Sequence, residues 1–170
     1  MIKFPIVLKW ALIAGFGSLL WLLFEKVVGL HSTYIAYHPY ISMMGLLIPI
    51  YCIRATMVEQ RESMGGYISY MQAFLAGLAG VLVVAALNPP IQWVFHHYIN
   101  PDFFTNMINY SVEHATEMGT TPEKARAQAT GYFTLRSYMI QSAVGALLFG
   151  LVVSAISALV ITRNQSKPDQ

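Results

Sequence analysis

Charged residues along this chain fall in clusters, and the stretches between clusters are long and apolar. Trp10–Phe24, Val27–Ile53, Ser63–Pro101 and Ser137–Thr162 carry no Asp, Glu, Lys or Arg. A helix rises 1.5 Å per residue, so about 20 apolar residues cross a bilayer core of about 30 Å. The pattern therefore predicts four membrane helices, at about residues 6–28, 40–57, 66–87 and 137–162. A soluble helical bundle is the rival reading. Lys9 sits near one end of the first span, where its ammonium can reach the headgroups, and Glu25 and Lys26 mark the other end. That first run is read as a retained helix rather than a cleaved leader. Pro49 is expected to kink the second span, and the link VEQRESMGG that follows closes on Gly65 and Gly66.

The third apolar stretch is interrupted by Asn88-Pro89-Pro90. Gly66 to Leu87 already gives about 33 Å of helix, and Asn88 is a suitable N-cap for a new helix with prolines in its first turn. The expectation is a third span ending at Leu87, then an interfacial helix Pro89–Ile99 carrying Trp93, His96, His97 and Tyr98. One long kinked helix is the alternative. Asn100-Pro101-Asp102 opens a further helix with apolar positions Phe104, Met107, Ile108, Val112, Ala115 and Met118 on one face. Asn106, Asn109, Glu113 and Glu117 lie off that face, and Gly119 ends the helix. Thr121-Pro122-Glu123 starts another helix, expected to feed directly into the fourth span. The expected fold is thus all-α: an integral membrane four-helix bundle as one domain (1–163), with an extramembrane helical hairpin (about 89–136) between the third and fourth spans. The polar tail 164–170 is expected to be loose.

Composition strengthens this picture. Only 11% of the residues are charged and 56% are hydrophobic, whereas a soluble domain carries about 25% charged residues. Six of the ten basic residues, Lys3, Lys9, Arg54, Arg61, Arg163 and Lys167, fall on the side holding both termini. Lys26, Lys124, Arg126 and Arg136 fall on the other. The positive-inside rule then places the termini in the cytoplasm and the hairpin outside, in a multi-pass protein of the inner membrane. A formal charge of +2 is too small to argue for nucleic acid, which is not an expected partner. The bilayer is the expected partner, with a membrane protein or a second copy of the chain beside it.

Chemistry is thinly signalled. Phosphate loops and hydrolase or metalloprotease motifs are absent, as are paired acids within a span, so neither an enzyme nor a cofactor is expected. The lone Cys52 excludes an intramolecular disulfide and a cysteine zinc cluster. All five histidines, His31, His38, His96, His97 and His114, fall on the outer side, where imidazoles suit a transition metal or a pH sensor. The candidate cluster combines His96 or His97 with Glu113, His114 or Glu117, although their spacing matches no established ligand pattern. Arg54 and Gln72 are polar groups within apolar runs. Arg54 is expected to reach the cytoplasmic headgroups, and Gln72 to bond a neighbouring helix. No acid is placed inside any span, which weighs against an ion-coupled carrier. Small residues recur every fourth position at Ser142, Ala146, Gly150, Ser154 and Ala158, and at Ser69, Ala73 and Gly77. Such stripes let membrane helices approach closely.

The start of the third span, GYISYMQAFLAG, followed by an aromatic stretch ending in YINPDF, a helical hairpin and a last apolar span, resembles a known bacterial membrane family, domain of unknown function 4199. The resemblance covers about residues 6–163. Pro89 and Pro90 depart from its pattern. It implies a small inner-membrane protein without an established activity, and it brings no catalytic residues to these positions. Three functional readings follow. The first is an interaction or accessory protein whose hairpin meets an outer-side partner or the membrane surface. A small-solute transporter or channel subunit would need a polar cavity between the spans. An outer-side metal or pH sensor would use the histidines.

Overall fold

The computed structural model describes residues 2–163 and 165. The chain is all-α, with four helical segments long and apolar enough to cross a membrane: Phe4–Val27, Ile35–Glu62, Tyr70–Ile99 and Leu135–Arg163. The first is one helix, α1 (Phe4–Val27), with Pro5 in its first turn, where a missing N–H costs nothing. It ends at Gly29, whose φ of 83° is the left-handed conformation that a side chain disfavours. The segment after it turns inward. Leu30, His31 and Ile35 are buried, so the expected surface connection Gly29–Pro39 is instead part of the packed end of the bundle.

The second span begins at Ile35 rather than Tyr40 and is built in pieces. A 3₁₀ turn Ile35–Tyr37 leads to the short α2 (His38–Ser42), a second 3₁₀ turn spans Met43–Leu46, and α3 (Leu47–Glu62) follows. Pro49 lies in the first turn of α3. Its missing N–H therefore falls where the α-helix has just restarted, and the tightened Met43–Leu46 turn is the expected interruption. Gly45 lies in that turn. A methyl group on its Cα would sit 2.7 Å from the Trp21 ring, so the glycine lets α1 and the second span close on each other.

The third span overturns the expected break at Leu87. Helix α4 (Tyr70–Val94) runs through Pro89 and Pro90 and continues as a π-turn, Phe95–Ile99, which is the long-helix alternative. The prolines remove the N–H groups that would bond the carbonyls of Ala85 and Ala86, a loss a packed membrane helix tolerates. Asn88 does not cap a new helix. Its side chain donates to the Ser142 carbonyl on the fourth span at 3.2 Å. The true N-terminal cap is Ser69, whose hydroxyl accepts from the Gln72 N–H while the Gln72 side chain accepts from the Ser69 N–H at 3.0 Å.

The hairpin between the third and fourth spans consists of α5 (Phe103–Glu113) and α6 (Pro122–Tyr132), the latter capped by Thr121. It is shorter than the pattern suggested. Helix α5 ends at Glu113 rather than Gly119, and α6 breaks at Phe133 before α7 (Leu135–Arg163) begins. Thr134 accepts from the Ser137 N–H at 3.1 Å and so caps α7 separately. Phe103, Met107 and Ile35 form a buried cluster with Phe104, Tyr110, Phe133 and Tyr138 packed around it, which seats the hairpin on the bundle.

Helices α4 and α7 make the most extensive pairing. Gly150 on α7 meets Val81 on α4, and Gly77 on α4 meets Met57 of α3 and Ser154 of α7. Ala73, Gly77, Gly150, Ser154 and Ala158 are buried, while Ser69, Ala146 and Ser142 are partly exposed. At the end holding the N-terminus, the buried Gln60 pairs with the Lys3 backbone through both amide atoms, at 3.1 and 2.7 Å. Glu59 accepts there from the Lys9 ammonium and, at 2.7 Å, from the Trp10 indole. The tail 164–170 lies outside the described residues except for Gln165, and so does Lys167 of the charge comparison. Gln165 is held rather than loose: its side chain makes two hydrogen bonds to the Ile68 backbone, at 3.0 and 2.6 Å.

Candidate metal centre

At the opposite end of the bundle, Glu25 near the end of α1 is 1% exposed. It was expected at the membrane boundary, and it is instead an acid buried between the spans. Burying a carboxylate requires partners, and it has three. Its Oε1 accepts from the Trp21 indole one turn earlier at 2.7 Å and from the Ser42 hydroxyl at 2.5 Å. Its Oε2 lies 3.1 Å from Nε2 of His31. Gly45 leaves room for the Trp21 ring in this position, and the short α2 is what carries Ser42 and His38 over the carboxylate.

His31 is 3% exposed and is held from both sides. The Asn100 amide donates to its Nδ1 at 2.7 Å, and the Asn106 amide donates to its backbone carbonyl at 2.9 Å. With Nδ1 accepting, the ring proton lies on Nε2 and points at Glu25. Phe103 and Phe95 close its faces, with ring centroids at 4.8 and 5.8 Å. His38 Nε2 stands 3.9 Å from Glu25 Oε2, and its side chain keeps 14% of its surface exposed.

Glu25, His31 and His38 each direct one donor atom into a common space, all within 4.8 Å of one another. Among the described residues no other group of three or more His, Cys, Asp or Glu does so. A tetrahedral zinc with bonds of 2.0–2.1 Å needs donors about 3.3 Å apart. The two distances from Glu25, 3.1 and 3.9 Å, bracket that value. Closing the two imidazoles onto an ion therefore needs a shift of an ångström or so. Two histidines and a carboxylate leave a fourth position for water or another ligand, which is the donor set of an open zinc site. The site lies at the head of a cavity of about 370 Å³ between the four spans.

A sequence profile described as Protein of unknown function (DUF4199) matches residues 9–163. The chain belongs to this family. With four apolar membrane-length helices, it is a multi-pass membrane protein. Comparison with curated proteins and with solved structures gave no match.

The DUF4199 chain does not assemble the cluster its sequence suggested. His96 is buried against Phe103, Phe104 and Tyr138, with the Phe103 ring at 4.8 Å. His97, its neighbour, points away and stacks on Trp93 at 5.3 Å, exposed. Glu113 and Glu117 are exposed on the hairpin, and His114 folds back on the Tyr110 carbonyl at 3.0 Å. None of these joins a metal-ligand group among the described residues. Arg54 is exposed on α3. Gln72 is exposed and spends its side chain on the α4 cap rather than on a neighbouring helix. The large cavity does not touch it.

What sequence reading missed is Glu25 with His31 and His38. The signal available was Trp21 and Glu25 at helical i, i+4 spacing, followed by two histidines in a connection rich in small and aromatic residues. Length alone made that connection look like an ordinary exposed loop.

Proposed function

We propose that this protein is a metal sensor of the membrane, binding a zinc-class divalent ion at Glu25, His31 and His38 and passing the state of that site to the helical hairpin. The observation that carries the reading is the convergence of three donors, from α1, the inward-folded connection and α2, within 4.8 Å. The route to the hairpin is equally local. His31 is bonded to Asn100, three residues before α5, and to Asn106 within it. Moving the imidazole by an ångström onto a metal disturbs the Asn100 bond directly, and reaches Asn106 where the His31 backbone follows the ring. The exposed charges of the hairpin, Glu113, Glu117, Glu123, Lys124 and Arg126, are the surface that an outer partner would meet. An accessory role is then the output of the sensor rather than a rival to it. The charge distribution supports cytoplasmic termini, which puts the metal site on the outer side.

The test is a zinc titration of the chelator-stripped protein in lipid nanodiscs, followed by calorimetry. One zinc per chain is expected. Glu25→Gln and His38→Asn should each weaken binding by about tenfold or more, while His97→Ala and His114→Ala leave it unchanged. Equal binding by wild type and a His31→Asn/His38→Asn double variant, with both proteins still melting cooperatively, would remove the reading.

A further inference from the structure

The cavity beneath the metal site carries chemistry that the three ligands do not use. It is walled by all four spans and stays open because small residues face it, Gly80 on α4 and Gly145 and Ala146 on α7 among them. A methyl group added at Gly145 would meet no atom within 4 Å. Its size lies at the lower edge of the range for small-molecule pockets, about 300–1,000 Å³, and such pockets are mainly apolar with a few placed polar groups.

Two of those polar groups lack partners. Gln92 and His96 line the cavity one helical turn apart on the third span, and Gln92 Oε1 and His96 Nδ1 are buried with no hydrogen-bond partner among the described residues. Buried polar atoms are nearly always bonded, so two neighbours left unpaired on one wall call for an explanation. The other polar side chains nearby are engaged. Asn88 holds the Ser142 carbonyl, Gln141 holds Ser137, and Trp21 and Ser42 hold Glu25. An amide oxygen only accepts, whereas an imidazole nitrogen accepts or donates according to tautomer. Both atoms lie just beneath the wall with no surface of their own open to the cavity, so both side chains must turn toward it; a hydroxyl group, donor and acceptor at once, then satisfies the pair. Ser18, Thr56 and Ser142 spend their hydroxyls on carbonyls of their own helices, Tyr138 also lines the space, and most of the remaining wall, Trp10, Val84 and Phe149 among it, is apolar or aromatic.

We infer that the cavity between the four spans is a binding site for an uncharged, largely apolar molecule bearing one hydroxyl group, a lipophilic alcohol or phenol, which bonds Gln92 and His96. Glu25, His31 and His38 line one end of the same cavity, but the bonds proposed here are to Gln92 and His96, so this binding requires no metal.

Equilibrium dialysis of the full-length protein in nanodiscs, with chelator present throughout, tests this with 1-naphthol and with naphthalene as the hydroxyl-free control. Protein-free nanodiscs give the lipid background. Saturable binding of one naphthol per chain is expected, at least tenfold tighter than naphthalene. Gln92→Leu should erase that preference while leaving the weak apolar binding. Gly145→Leu should abolish binding of both probes, and Gly145→Ala, too small to fill the space, should retain it, which controls for misfolding. Absence of saturable binding, equal binding of the two probes, or naphthol binding that survives Gly145→Leu would each overturn the inference. Because chelator is present, failure here leaves the zinc titration standing, and failure of the zinc titration leaves this result standing.

Discussion

The Asn100 side-chain amide donates to Nδ1 of His31 at 2.7 Å, across a separation of 69 residues. This bond decides which nitrogen of His31 carries its proton, and so whether Nε2 presents a hydrogen to Glu25 or a lone pair to a metal. With the amide nitrogen donating, Nε2 is protonated and the metal-free network is complete. A metal bound at Nε2 would require the proton on Nδ1, and Asn100 would then have to turn its oxygen toward the ring.

Substitution at Asn100 separates the two states. Asn100→Ala leaves a buried imidazole nitrogen unpaired, which should cost about 1–3 kcal/mol and lower zinc affinity by about 10–100-fold. Asn100→Asp offers only acceptors. It should destabilise the metal-free protein yet keep or raise zinc affinity, since a carboxylate behind a ligating histidine favours the metal-bound tautomer. Thermal melts with and without zinc measure both. A zinc affinity as low in the Asp variant as in the Ala variant would show that Asn100 does not set the tautomer.

Gly45 controls the same site from the other side. Its Cβ would fall 2.7 and 2.8 Å from Cδ1 and Nε1 of Trp21, and Nε1 is the atom that donates to Glu25. Gly45→Ala should displace the indole and break that bond, at a cost of about 1–3 kcal/mol for overpacking. Gly45→Ala combined with Trp21→Phe should recover part of the loss, because the smaller ring no longer collides. A double-mutant cycle on melting temperature reads the coupling. Additive losses would mean that the two residues do not meet.

The glycines of the α4–α7 crossing should rank by what they touch. At Gly150 a methyl group would lie 2.5 and 2.6 Å from the Val81 methyls and 3.1 Å from its Cβ. Valine on a helix is nearly fixed at χ1, so it cannot give way. At Gly77 the nearest atom is the terminal methyl of Met57, a flexible tip, at 2.2 Å, although Ser154 Oγ follows at 2.9 Å. Gly145 has open space. Alanine should therefore cost most at Gly150, about 1–3 kcal/mol, less at Gly77, and least at Gly145. Melting temperatures in one detergent give the order. A Gly145→Ala loss as large as that of Gly150→Ala would contradict the packing.

The four spans were legible because charge is expensive in lipid and the gaps between charged residues are long. The small residues of α4 and α7 were legible for a related reason, since close approach leaves a four-residue period. Three features were not. Asn88-Pro89-Pro90 has the local sequence of a helix start, and only the packing of α7, through the Ser142 carbonyl, shows that the helix continues. Gln72 looked like a polar group within a span because the cap sits at Ser69, further along than the Gly65-Gly66 turn suggests. Glu25 looked like a boundary marker because an acid at the end of an apolar run normally is one. Its burial depends on the second span folding back over it, a long-range fact with no local period.

Asn88 also yields a test with opposite outcomes for the two readings. As an N-cap, Asn88→Asp would be harmless, since aspartate caps as well as asparagine. As a donor to the Ser142 carbonyl, aspartate cannot replace it and brings a charge toward an acceptor beside the cavity. Asn88→Asp should therefore destabilise more than Asn88→Ala, which loses only a hydrogen bond of about 0.5–1.5 kcal/mol. The order of the two melting temperatures decides it.

The charge distribution predicts an orientation that single cysteines can check. Cys52 is buried on α3, and Cys52→Ser gives the cysteine-free background for labelling. Glu117→Cys on the hairpin and Glu62→Cys at the end of α3 are both exposed, at opposite ends of the bundle. With the basic-rich end inside, a membrane-impermeant maleimide added to intact cells should label Glu117→Cys and spare Glu62→Cys until the cells are opened. The reverse pattern would place Glu25, His31 and His38 on the cytoplasmic side. The metal available to them would then be the cell's own buffered pool rather than that of the surroundings.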